Sequence, residues 1–144
     1  MDKDIISFAK KLLQYKRVFN ELDTEANEFI RKIAEGEDTD LDVIVHLEKR
    51  VSLISELADQ SRGFKPPPSF AEAYFHFVEY LLYQSRDWEL TLSGRIEEAV
   101  EASKKAYFHW EVFKAEVTKL APYFGDSSEI LFELIGEKFD EEKH

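Results

Sequence analysis

SFAEAYFHFVEYLLYQSRDWELTLSGRIEEAVEASKKAYFHWEVFKAEVTKLA, residues 69–121, is the stretch whose reading decides the fold. It follows Pro66-Pro67-Pro68, which no helix runs through, because proline lacks the amide hydrogen and its ring clashes with the preceding turn. Ser69 with Glu72 three residues on has the spacing of a capping box, in which each side chain satisfies an orphan backbone N–H. The stretch closes at Pro122, which pushes Ala121 out of helical geometry, and Gly125 lies just beyond. Between these marks Phe70, Tyr74, Phe77, Leu81, Gln84 and Trp88 recur at helical spacing. The phase slips by one residue through Leu92 and Ile96, then resumes at Ala99, Ser103, Ala106, Trp110, Phe113, Val117 and Leu120. Such a slip straightens a bundle without requiring a turn. Gly94 weakens a helix by about 1 kcal/mol relative to alanine, and Ser93-Gly94 is shorter than most helix–helix connections. The stretch therefore reads as one continuous helix over 69–121, with a break near Gly94 as the alternative.

Upstream, apolar residues keep a heptad from Asp2 to Glu35. Ile5, Leu12, Phe19, Ala26 and Ile33 fill one position, and Phe8, Tyr15, Leu22 and Phe29 fill the position three residues on. This predicts a long helix over 2–35 with a coiled-coil-like face. Lys10, Lys11, Lys16 and Arg17 lie off that seam and read as a solvated basic face. Gly36 is a natural stop, and Thr39 with Asp42 restarts a helix over 40–62 whose seam is Ile44, Leu47, Val51, Ile54 and Ala58. Gly63 ends it. Downstream, Asp126 and Glu129 have capping spacing for a short helix over 128–139, with Ile130, Leu131, Leu134, Ile135 and Phe139 on its apolar face. The expected fold is an all-α antiparallel bundle of long helices plus a short C-terminal helix, one domain over residues 1–144.

Composition narrows the function classes. There are 30 acidic and 19 basic residues, a net charge of −11, so phosphate backbones and anionic lipid are repelled and neither nucleic acid nor membrane is an expected partner. No segment has the apolar length of a membrane span, and the N-terminus lacks the pattern of a secretory signal. With no cysteine there are no thiolate metal sites or cysteine nucleophiles, and a cytoplasmic setting is expected. No Ser-His-Asp set, phosphate-binding glycine loop or HExxH motif can be read, so the chain is expected to be no enzyme and to need no cofactor.

The segment Phe70–Tyr83 is apolar nearly all round except for a stripe of Glu72, His76 and Glu79. These three are candidate metal ligands by residue type. Their Glu-x-x-x-His-x-x-Glu spacing departs from the Glu-x-x-His of di-iron bundles, and no second helix supplies a matching pair. No metal is therefore expected. His109 falls on a charged stripe with Glu98, Glu101, Lys105 and Glu116.

A continuous helix of roughly 80 Å would outrun its neighbours, one of which spans about 50 Å. Tyr107, Phe108, Trp110, Phe113 and Val117 would then overhang, covered on one side only by Ile130 and Leu134 of the final helix. Large exposed apolar patches mark association sites. The sequence thus predicts a non-catalytic interaction or scaffolding bundle that forms a homodimer through these seven residues and binds another protein as well. An acidic protein occupying the nucleic-acid groove of its target, carboxylates standing in for phosphates, is the alternative. A metal-binding bundle is the second alternative.

Overall fold

In a computed structural model, residues 2–36 and 41–136 are described. They are 88% helical and include no strand. Five helices follow in order: α1 Asp2–Ala34, α2 Leu41–Ser61, α3 Ala71–Leu92, α4 Ile96–Thr118 and α5 Ser128–Ile135. None is long and apolar enough to cross a membrane.

The heptad of α1 sets its buried face, with Ile5, Phe8, Leu12, Phe19 and Ala26 inside. Ala9, Leu13 and Lys16 are buried beside them, so the face is wider than a two-helix seam. The reason is that α1 packs against α2 on one side and α5 on the other, while its rings meet α3. In α2, Leu47, Val51, Ile54 and Ala58 are buried as their spacing requires. Ile44 is 39% exposed, and Val43 takes the inner place one turn before Leu47. Tyr74 fixes the turn into α3: its hydroxyl donates to the Ser61 carbonyl and accepts from the Phe64 N–H at 3.2 Å. Burial raises the Tyr74 pKa above its ordinary value.

Residues 69–121 are not one helix. The chain reverses at Ser93–Arg95, and α3 and α4 form the most extensively packed pair in the molecule. Gly94 adopts φ +77°, the left-handed conformation that costs glycine nothing. The Arg95 N–H reaches the Leu90 carbonyl at 2.9 Å and the Gly94 N–H reaches Thr91 at 3.1 Å, the paired bonds of a Schellman cap. Three residues suffice because the cap itself turns the chain. The one-residue slip in the apolar phase is the sign of two helices, not of a stutter.

Neither expected capping box forms. Helix α3 begins at Ala71 after a 3₁₀ turn over Pro68–Phe70, and α5 at Ser128 after one over Gly125–Ser127, both without a side-chain cap. The tight turns satisfy early amides by themselves: Phe70 N–H bonds to Pro67 at 2.9 Å and Ser127 N–H to Phe124 at 2.7 Å. The Thr39 cap, the start of α2 at residue 40, and the extension of the last helix to 139 with Phe139 lie outside the described residues.

With α4 running back beside α3, its aromatics enter the core. Trp110 stacks on Phe113 and meets Tyr80 at 4.9 Å between centroids; Phe113 meets Phe77, and Tyr80 meets Phe19 of α1. Helix α5 packs on α1 and α4, burying Leu131 and Leu134. Its C-terminus is held by α1. Lys16 Nζ donates to the carbonyl of Glu133 at 2.7 Å and also to that of Gly136, filling acceptors that a helix end leaves open and meeting its negative dipole. Lys16 is thus a buried cap and no part of a solvated face. Beside it Arg17 forks onto both oxygens of Glu133 at 2.6 and 2.7 Å, holding that carboxyl below its ordinary pKa. Lys11 lies 3.9 Å from the centre of the Phe64 ring.

Candidate functional site

The hairpin brings two helical stripes face to face. On α3, Glu72, His76, Glu79 and Tyr83 follow alternating steps of four and three residues and so share one edge. On α4, Lys105 and His109 lie one turn apart on the facing edge, with Phe108 outside them. His76 Nδ1 and His109 Nδ1 stand 2.9 Å apart, a distance at which one ring donates and the other accepts. Glu72 Oε2 lies 3.7 Å from His76 Nε2. A carboxylate there favours the proton on Nε2, which leaves His76 Nδ1 as acceptor and makes His109 Nδ1–H the donor.

Aromatic rings fix this pair. Tyr83 stacks on His109 at 5.6 Å and 7°, and Phe75 presents its edge to His76 at 5.0 Å. Phe108 stands edge-on to His109 at 5.2 Å, and Lys105 Nζ lies 5.6 Å from the Tyr83 ring centre. The His76 side chain is only 14% exposed. Burial first, then the neighbouring His76, lowers the His109 pKa below its ordinary value; Glu79 partly offsets both. Outside this half-buried centre, Phe75 and Phe108 are 51% and 60% exposed. A shallow groove continues toward the hairpin tip between Tyr83, Arg86, Glu98, Glu101 and Lys105, with Ala102 in its wall.

The residues expected at an interface divide into two groups. Trp110, Phe113, Val117 and Leu134 are buried within the chain, and Ile130 is half-buried against the same core. They do not overhang, because the break at Gly94 shortens the helix that was to carry them beyond its neighbours. Tyr107 and Phe108 are exposed, but roughly 100° apart around α4, so only Phe108 joins the histidine patch. Of the metal candidates, His76 is met by His109, while Glu72 lies at the opposite ring nitrogen. Among the described residues no three His, Cys, Asp or Glu side chains are grouped to hold a metal ion.

Sequence reading missed the His76–His109 pair. The signal was present: the two lie 17 residues before and 16 after Ser93, as partners across a hairpin centred there must. Treating 69–121 as continuous put them about 50 Å apart. Many acidic side chains, meanwhile, are matched locally, in Glu28–Arg31–Glu35, Arg95–Glu98, Glu101–Lys104, Glu111–Lys114 and Glu116–Lys119. Such short-range pairs give an ordinary solvated surface, worth little to stability singly.

Fold and site together define an all-α bundle whose antiparallel α3–α4 hairpin carries an exposed aromatic–histidine patch. No family model, curated protein or solved structure matches the chain, so the patch is interpreted through its own geometry.

Proposed function

We infer that the protein is a non-catalytic interaction or scaffolding module that self-associates through the outer face of α3 and α4. The observation that carries this reading is the pair Phe75 and Phe108, two large rings more than half exposed on helices that are themselves locked together. Rigid aromatic anchors of this kind dominate protein interfaces, because they bury much area and lose little side-chain freedom. The patch also suits a second copy of itself. Arg86 lies toward the hairpin tip and Glu72 two heptads back along the same helix. A two-fold contact with the α3 helices antiparallel sets the arginine of each copy against the glutamate of the other, with the aromatic rings between.

Light scattering on the purified chain tests this. The expected mass is twice the 16.9 kDa of the chain, returning to the single value in the Phe75→Ser/Phe108→Ser double variant with its helical circular dichroism unchanged. A wild-type chain that stays monomeric at high micromolar concentration would falsify the reading.

A further inference from the structure

We propose that His76 and His109 form a two-imidazole site for a borderline divalent cation, Zn²⁺ or Cu²⁺, held between α3 and α4. Two Nδ1 atoms already face each other at 2.9 Å. At Zn–N distances of about 2.0–2.1 Å, two ligands of a tetrahedral ion stand about 3.3 Å apart, so the nitrogens separate by about 0.4 Å and each ring swings by about 35° to aim at a point beside the present N–N line. Imidazole donors without thiolate or a carboxylate cage favour Zn²⁺ and Cu²⁺ over Mg²⁺ or Ca²⁺. Water completes the coordination, because among the described residues no third His, Cys, Asp or Glu is grouped with the pair to hold an ion.

The surroundings favour the ligating form. Glu72 beside His76 Nε2 is the outer-shell carboxylate that orients a metal-bound imidazole and keeps its inner nitrogen bare. His109 moves its proton from Nδ1 to Nε2 as the ion enters, so a neutral pair releases no proton. Stacking by Tyr83 and edge contacts from Phe75 and Phe108 hold both rings near the ligating geometry, lowering the ordering cost of binding. The site lies within one hairpin and does not depend on self-association.

The test is calorimetric titration of the tag-free full chain with ZnCl₂ at pH 7.5, paired with the electron paramagnetic resonance spectrum of the Cu²⁺ form. One ion per chain and coupling to two imidazole nitrogens are expected. His76→Ala and His109→Ala should each weaken binding at least tenfold, as should His109→Gln, which keeps a polar side chain there. His46→Ala, altering the histidine stacked on Phe29 away from the site, should leave binding unchanged. Absence of binding to the wild type, or equal affinity in wild type and the His76 and His109 variants, overturns the assignment.

Discussion

Phe113 and Phe108 lie five residues apart on α4 and meet opposite fates. Phe113 is fully buried between Phe77 and Trp110, on the side that α1, α3 and α5 enclose. Phe108 is 60% exposed on the far side, where it flanks His109. Nothing in the local sequence separates the two rings by kind. What separates them is which neighbour arrives: the inner face gains an eight-residue helix anchored by Lys16 and Arg17, while the outer face meets the edge of α3 through His76 and Tyr83 and leaves Phe108 uncovered. Aromatic content therefore marks both a core and a surface here, and only the packing assigns each ring to one of them.

The sharpest way to break this contrast is to truncate both rings. Phe113→Ala should cost about 3–5 kcal/mol in urea unfolding, through lost transfer energy and an unfilled cavity. Phe108→Ala, measured at a protein concentration low enough for the chain to be monomeric, should cost less than about 0.5 kcal/mol. Similar losses at the two sites would mean that Phe108 is covered in the free chain.

Next in size is the anchor of the enclosed side. Lys16→Met keeps the aliphatic stem but leaves the carbonyls of Glu133 and Gly136 without that donor. A loss of about 1–3 kcal/mol is expected. Amide exchange should quicken in α5 before the rest of the bundle; uniform quickening would show that α5 opens only with global unfolding.

Gly94→Ala probes the turn that creates both faces, and the two chain paths differ in sign. In a continuous helix the change would stabilise by about 1 kcal/mol. At φ +77° it should destabilise by about 1–2 kcal/mol. A Cβ there meets nothing within 4 Å, so the penalty comes from the backbone alone. A rise in melting temperature on this substitution would refute the hairpin.

The smallest effect belongs to the outer face. His109 binds its proton more weakly folded than unfolded, so its depressed pKa makes no difference to stability well above pH 6.5, the ordinary histidine value. As pH falls through that value, the unfolded chain takes up the proton first and stability drops, until the folded pKa is also passed. Denaturation of metal-free protein between pH 7.5 and 5.5 should show this decline, and His109→Gln should flatten it. A slope identical in the variant would assign the decline to other groups.

Helix type and most helix ends were legible in the residues, because periodicity, proline and glycine act within one or two turns. The heptad of α1 and the seam of α2 from Leu47 to Ala58 are of that local kind. The expected end at Ala121 is not: α4 stops at Thr118, and Ala121–Tyr123 form a 3₁₀ turn that takes Pro122 in its first positions. The capping boxes misled: a Ser-x-x-Glu pattern states what side chains can do, and backbone 3₁₀ turns did it first. The candidate site was only half legible. His76 with Glu72 stands out on one helix, but its partner comes from 33 residues away.

By itself, then, the sequence determined that this chain is helical, where α1, α2 and the start of α5 fall, and that it carries more aromatic helix surface than one seam uses. Each follows from hydrophobic spacing and backbone stereochemistry, which act over a few residues. Tertiary structure alone decided the direction taken at Gly94, and everything downstream of it: the burial of Trp110 and Phe113, the use of Lys16 as a helix cap, and the meeting of His76 with His109. Glycine tolerates both the helical and the left-handed conformation, so the residue leaves that choice open. Settling it required contacts between segments far apart in the chain, above all the gain from laying α4 against α3 and sealing it with α5.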